Sequence, residues 1–159
     1  MRMEALLVRL EVQEILDAYI SAIDEDRLED WPAFFTEECL YEIIPKENED
    51  ARLPVGVMRC ENRRMIRDRV ISLRNANIFS PATYRHFLSG LTIKKAETDS
   101  VEFSCNYVVI RSNQAGQSFV YQTGRYHDRI VREEQAWRFA QKRAVFDTSR
   151  VQTLLAIPV

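Results

Sequence analysis

The sequence holds two histidines, His86 and His127, and three cysteines, Cys39, Cys60 and Cys105. These are the side chains best suited to ligate a metal or attack a substrate. A zinc or mononuclear iron site needs such ligands clustered, and neither histidine has a second one three to five residues away. A Rieske cluster takes two cysteines and two histidines from paired short motifs. Here no cysteine lies near a histidine in sequence. No metal site is expected in this chain. The cysteines read as small buried hydrophobes, Cys105 above all, because it alternates with Phe103 and Tyr107. A nucleophilic cysteine needs an activating base, and none can be named. With only four glycines, and no P-loop, GxGxxG loop or GxSxG elbow, nothing is built to cradle phosphate.

An acid–base site is a separate question. Tyr19, Asp24, Trp31 and His86 fall where an apolar pocket would be lined, and a buried Asp24 would make a useful base. Against this, Asp24 opens the acidic run Asp24-Glu25-Asp26 at a helix end, which reads as solvated or capping. His86 lies between Arg85 and Phe87 in a strand, where it reads as a hydrogen-bonded structural histidine. The four are candidate pocket-lining residues, and no catalytic residue is assigned.

These residues are positioned by elements that periodicity predicts. Val8, Val12, Ile15, Leu16, Tyr19, Ile20 and Ile23 recur at helical spacing, predicting a helix from about Glu4 to Asp24. Asp26 then caps a short second helix through Phe35, with Glu29 completing a capping box and Pro32 tolerated in the first turns. Cys39 to Ile44 reads as a strand ended by Pro45, residues 46–52 as a polar loop, and Val55 to Arg59 as a short strand. A third helix is predicted over Glu61 to Asn77, with Met65, Ile66, Val70 and Leu73 on one stripe. Four long strands come next: Thr83 to Lys95, Val101 to Ser112, Gln117 to Val131 and Gln135 to Thr148. Val101, Phe103, Cys105, Tyr107 and Val109 share a face at period two, as do Trp137, Phe139 and Val145. Asn113 to Gly116 and Arg132 to Gln135 read as hairpin loops.

Helices early and strands late argue an α+β domain spanning residues 1–159. Long curved strands wrapping the N-terminal helix make a cone, and the element order is similar to that of the NTF2-like (SnoaL-like) fold. The 159 residues can bury a real core. A net charge of −2 gives no electrostatic reason to expect nucleic acid. The arginines between Arg59 and Arg69 are offset by nearby acids and read as a solvated helix face or a subunit interface. Sparse, unpaired cysteines point to a reducing compartment. The N-terminus lacks a signal-peptide pattern, and no apolar run approaches a membrane span. A cytoplasmic protein with no membrane partner is expected.

The sequence also resembles a known family. Asp30-Trp31-Pro32-Ala33-Phe34-Phe35-Thr36-Glu37-Glu38-Cys39-Leu40-Tyr41 is similar to the early motif of β subunits of aromatic-ring-hydroxylating dioxygenases. Met65 to Val70 resembles the family's central helix, and Tyr84-Arg85-His86-Phe87-Leu88 the Arg-His that comes after it. Gly124 to Ile130 and Trp137 to Asp147 match its last two strands. Nearly the whole chain is covered, and five motifs fall in the family's order. Within the family the chain looks most similar to small subunits of terephthalate dioxygenase and salicylate hydroxylase type, which act on aromatic carboxylic acids.

The resemblance implies a division of labour. The large α subunit carries a Rieske [2Fe–2S] cluster and a mononuclear iron, and a reductase delivers electrons to it from NAD(P)H. The β subunit carries no cofactor, is mainly structural, and commonly forms a homotrimer within an α3β3 assembly. Strands rich in Tyr, Phe and Arg suit an interface core, and Arg125, Arg129 and Arg143 are candidates for charge-assisted bonds across it. The bland alternative is that these arginines are solvated and the aromatics fill the chain's own cone. The rival to the whole reading is a free-standing NTF2-like dehydratase or isomerase, or a ligand-binding protein for a hydrophobic small molecule. The apolar stretch Thr153 to Val159 is expected to dock on the fold or on a neighbour.

Overall fold

The N-terminal stripe folds as α1 (Arg2–Asp24) in the computed structural model, which describes residues 2–53, 56–75, 81–147 and 157–159. Val12, Ile15, Leu16, Tyr19, Ala22 and Ile23 form its buried face. At 100° per residue, Met3, Leu6, Leu7 and Leu10 project to the opposite side. Each of these four is at least half exposed.

The second helix differs from expectation. It is a 3-10 helix, Leu28–Phe34, preceded by Arg27 without a side-chain cap. Pro32 sits inside it, and the missing N–H of proline and the clash of its ring with the carbonyl of the preceding turn disfavour an α-helical run there. Asp26 adopts a left-handed φ of 58° and caps nothing. Its carboxylate instead accepts from Arg74 at 2.8 Å and 3.0 Å, and Glu29 accepts from the same guanidinium at 2.7 Å and 3.0 Å.

β1 (Phe35–Pro45) begins four residues earlier than the apolar run suggested. The polar stretch Thr36–Glu38 hid its start. The predicted loop after Pro45 is a single helical turn, α2 (Lys46–Asp50), closed by an ion pair of 2.6 Å between Lys46 and Asp50. β2 is shorter than predicted, Met58–Cys60, and Val55 lies outside the described residues. α3 (Arg63–Asn75) starts after Asn62, whose side-chain oxygen accepts the Met65 N–H at 2.9 Å as an N-cap does. Ile66, Val70 and Leu73 are buried, whereas Met65 is 39% exposed and leaves the predicted stripe.

β3 (Ala82–Glu97), β4 (Ser100–Asn113), β5 (Ser118–Glu133) and β6 (Ala136–Phe146) form an antiparallel meander. β6 then pairs parallel with β1, giving the order β2-β1-β6-β5-β4-β3. The sheet is curved and does not close, and helices and sheet together make an α+β cone of NTF2-like type. Residues of α1, α3 and the inner sheet face make one apolar core.

Two backbone details shape the sheet. The β5–β6 turn is only two residues, Glu134 and Gln135, both with left-handed φ (51° and 67°), as in a type I′ hairpin. Gly124 lies where a Cβ would come within 2.2 Å of the Val145 carbonyl oxygen and 2.9 Å of the Tyr107 hydroxyl. No larger residue fits there without moving β6.

Inner-face alternation holds along β4, where Val101, Phe103, Cys105, Tyr107 and Val109 are all at most 3% exposed. It breaks in β6. Ile130 pairs with Phe139 but Arg129 pairs with Gln141, so Ala140 is an extra, unpaired residue. Such a bulge shifts the phase of the strand beyond it. Lys142, Ala144 and Phe146 face inward after it, and Val145 does not share the face of Trp137 and Phe139 as period two alone predicted.

Candidate functional site

Cross-strand register builds one row across the inside of the cone. Tyr41 of β1 lies beside Lys142 of β6, which lies beside Asp128 of β5, then Phe103 of β4 and Ile93 of β3. Two residues of this row are charged. Lys142 Nζ donates to Asp128 Oδ2 at 2.8 Å, and neither side chain has any exposure. Aromatic rings surround the ammonium: Tyr126 at 3.5 Å, Tyr19 at 4.6 Å and Phe139 at 4.7 Å from Nζ to ring centre. These faces solvate a cation in place of water. Burial pushes the Asp128 carboxyl above its ordinary value, and Lys142 pulls the other way. Asp128 Oδ1 and the Tyr126 hydroxyl meet no hydrogen-bond partner among the described residues.

A second polar network closes the cone from the helix side. Trp31 Nε1 donates to the Tyr19 hydroxyl at 3.1 Å, and Tyr19 donates to the backbone oxygen of Val159 at 3.1 Å. Tyr41 donates to the same oxygen and accepts the Val159 N–H, each at 3.1 Å. Burial pushes the Tyr19, Tyr41, Tyr107 and Tyr126 hydroxyls well above their ordinary value, so all four stay protonated. Rings of Tyr19, Trp31, Phe35, Tyr41 and Phe139 meet edge to face or tilted at 5.1–6.2 Å between centres. Ile157, Pro158 and Val159 are buried; 153–156, the rest of the apolar stretch, lie outside the described residues.

The four candidate pocket-lining residues therefore fall into two pairs. Tyr19 and Trp31 are both fully buried and bonded to each other. Asp24 is not the solvated or capping end of α1. Its carboxylate accepts the His86 backbone N–H at 2.8 Å and lies 2.6 Å from His86 Nδ1. The Asp24 side chain is 13% exposed and that of His86 not at all. The contact ties the end of α1 to β3 across 62 residues of chain. His86 Nε2 is buried and meets no hydrogen-bond partner among the described residues.

The candidate interface arginines lie on the outer sheet face. Arg125 donates from Nε and Nη2 to Asn106 Oδ1 at 3.2 Å and 3.1 Å. Arg129 is half-buried, in register with Glu102 and Gln141. Arg143 bonds within the chain, to Glu42 at 3.1 Å and bidentately to Glu49. Glu42, nearly buried, also accepts from Arg59 at 3.1 Å. Arg143 holds the Glu49 carboxyl below its ordinary value.

Among the described residues, no group of three or more His, Cys, Asp or Glu is placed to hold a metal ion. The three cysteines are free and buried. Burial pushes the Cys39 thiol up to about 11 and Cys105 to about 12, and raises Cys60 too. Sequence reasoning missed Asp128, Lys142 and Tyr41. A signal existed for Asp128, which is in phase with the apolar Tyr126 and Ile130 on β5.

Fold and interior together define an NTF2-like cone filled by its own side chains and by Ile157–Val159. Comparison with known proteins sharpens this class. The model of the ring hydroxylating beta subunit family matches residues 19–153. The chain is 51% identical, over 94% of its length and 92% of the relative's, to the anthranilate 1,2-dioxygenase small subunit of Burkholderia cepacia. It is 32% identical, over 89% and 92%, to a β subunit of the terminal oxygenase component of terephthalate 1,2-dioxygenase from Comamonas. A crystal structure assigned as the β subunit of an aromatic-ring-hydroxylating dioxygenase from Novosphingobium aromaticivorans superposes with a TM-score of 0.89 at 35% identity, covering 98% of this chain and 99% of that one.

The chain belongs to the ring-hydroxylating β-subunit family. It is a small β subunit of an aromatic ring-hydroxylating dioxygenase, and its partner is a large α subunit. The cofactors of such oxygenases belong to that α subunit. The free-standing dehydratase or isomerase reading is not favoured.

Proposed function

We propose that this single-domain chain is a structural subunit with no catalytic residue of its own. It supports an α subunit that carries the Rieske cluster and mononuclear iron and hydroxylates an aromatic carboxylic acid. Three copies associate within an α3β3 assembly in the cytoplasm, and a reductase feeds electrons to the α subunit. Arg125, Arg129 and Arg143 contribute to contacts between subunits, Arg143 while also bridging Glu42 and Glu49. Tyr19, Asp24, Trp31 and His86 serve as two structural hydrogen-bonded pairs.

The observation that carries this reading is the filled interior of the cone. Lys142 is bonded to Asp128, and Tyr19, Trp31, Tyr41 and Val159 are bonded to one another, where a catalytic NTF2-like protein would keep space for a substrate. The substrate class is supported by the names of the relatives, since anthranilate and terephthalate are both aromatic carboxylates. The test is co-expression with the cognate large subunit. An iron-loaded complex of equal α and β content that hydroxylates anthranilate, benzoate or terephthalate supports the reading. A β chain that turns over a substrate alone, or binds no large subunit, overturns it.

A further inference from the structure

A groove of about 510 Å³ runs between the 3-10 helix and α3. Pro32, Ala33 and Val70 contribute its apolar lining, and Ile71 on its rim is 58% exposed. Arg63, Arg67 and Arg138 supply positive charge. Residues 63, 67, 71 and 74 are successive i, i+4 or i, i+3 neighbours, so the helix presents them as one stripe.

The charge of this groove is not balanced from within. Its one lining acid, Glu29, gives both carboxylate oxygens to Arg74, and that bond holds its carboxyl down at about 2. Arg63 is engaged by the Phe35 carbonyl and by Glu37 at 3.1 Å. Arg138 donates from Nη1 to the Ala33 carbonyl, and its buried Nε, with no hydrogen bond among the described residues, makes only a long ion pair of 3.8 Å with Glu133. Arg67 is exposed and makes no ion pair among the described residues. The result is a cationic groove on a chain whose net charge is −2.

We propose that this groove docks a short acidic segment of the large subunit. One Asp or Glu reaches Arg67 and Arg138, and an apolar neighbour covers Ile71. This rests on the pairing with a large subunit stated above. A purely apolar partner would strand Arg67 as an unpaired buried cation, which is costly. Phosphate-rich nucleic acid would meet no partner for Ile71 and would face Glu29. An acidic segment with an apolar neighbour satisfies both halves of the surface, and a charge-assisted fork from arginine to carboxylate gives it orientation.

The test compares wild type with Arg67→Glu and Ile71→Asp, each measured for assembly with the cognate large subunit. Both positions are exposed, so the isolated variants should keep the wild-type melting temperature. Assembly should weaken at least about tenfold for Arg67→Glu, and the salt dependence of wild-type association should shrink in Arg67→Ala. Full-strength assembly by both Arg67→Glu and Ile71→Asp overturns this docking site while leaving the subunit reading intact. A wild-type chain that binds no large subunit overturns the subunit reading itself. Saturable binding of benzoate to the β chain alone, lost in Arg67→Glu, would make the groove a small-carboxylate site and also overturn the proposal.

Discussion

Lys142 and Asp128 are direct cross-strand partners on β6 and β5, 2.8 Å apart, and neither side chain reaches solvent. Removing one member of such a pair leaves an uncompensated buried charge, which costs about 3–5 kcal/mol. Replacing both with apolar residues of similar volume is often neutral. Lys142→Met alone should therefore unfold at much lower urea than wild type, and Asp128→Leu/Lys142→Met should recover most of the loss. Chemical denaturation of the two variants decides this. A double variant no better than the single one would mean the pair is worth more than its desolvation cost.

The Asp24–His86 contact should matter to stability. His86→Ala removes two ring contacts at once, the hydrogen bond to a carboxylate and the packing of a fully buried ring. A hydrogen bond to a charged group is worth about 1.5–3 kcal/mol. A melting temperature lowered by several degrees is expected, with oxygenase turnover per assembled complex unchanged. Normal assembly with turnover reduced by orders of magnitude would give the pair a chemical role instead.

Thiol chemistry should report folding. Cys39, Cys60 and Cys105 are buried and their thiols are held above the ordinary value. Thiolate is the reactive form. Native protein at pH 8 should react with a disulfide reagent at the rate of global opening, and unfolded protein should release three equivalents at once. Fast native labelling would show that one of these cysteines is accessible.

Acid should weaken the fold in two stages. Burial, helped by Lys94, Arg143 and Arg125, lowers the His127 imidazole below its ordinary 6.5. The unfolded chain then takes up the proton first, so stability falls as pH drops through about 6.5 and below. Glu49 is shifted down by Arg143, so its contribution is present above the ordinary carboxylate value and is lost as pH falls towards the folded one. Asp128, raised by burial, works against this second loss. His127→Gln should remove the first stage. Urea midpoints between pH 7.5 and pH 5 provide the measurement, and an unaltered slope in the variant would refute the assignment.

Much of this architecture is legible in the chain, and the parts that are not have identifiable causes. α1, β4 and β5 carry long runs of periodicity, which local patterning reports well. The 3-10 helix escapes local reading because Asp26 and Glu29 have the types of a capping box, yet both are drawn to Arg74, which lies 48 and 45 residues away. Lys142 is invisible to a period-two pattern because straight alternation from Phe139 turns it outward. Tyr41 gives no signal because its partner, Val159, is 118 residues distant and bonds through its backbone, which has no residue signature. Asp24 and His86 can be named singly, but nothing local says that they meet.

The unpaired Ala140 has a consequence for how this gene tolerates changes in length. A bulge places two residues opposite one, so losing Ala140 would regularise the β5–β6 ladder without exchanging the inward and outward sets on either side. Phe139 would still point in, Gln141 out and Lys142 in. Losing a residue two positions further on would reverse every side chain up to Phe146. In-frame deletion of Ala140, or of Gln141 with Ala140 taking its outward place, should thus be tolerated better than deletions further along β6, and should yield a strand that is straighter, since the bulge supplies local bend and twist.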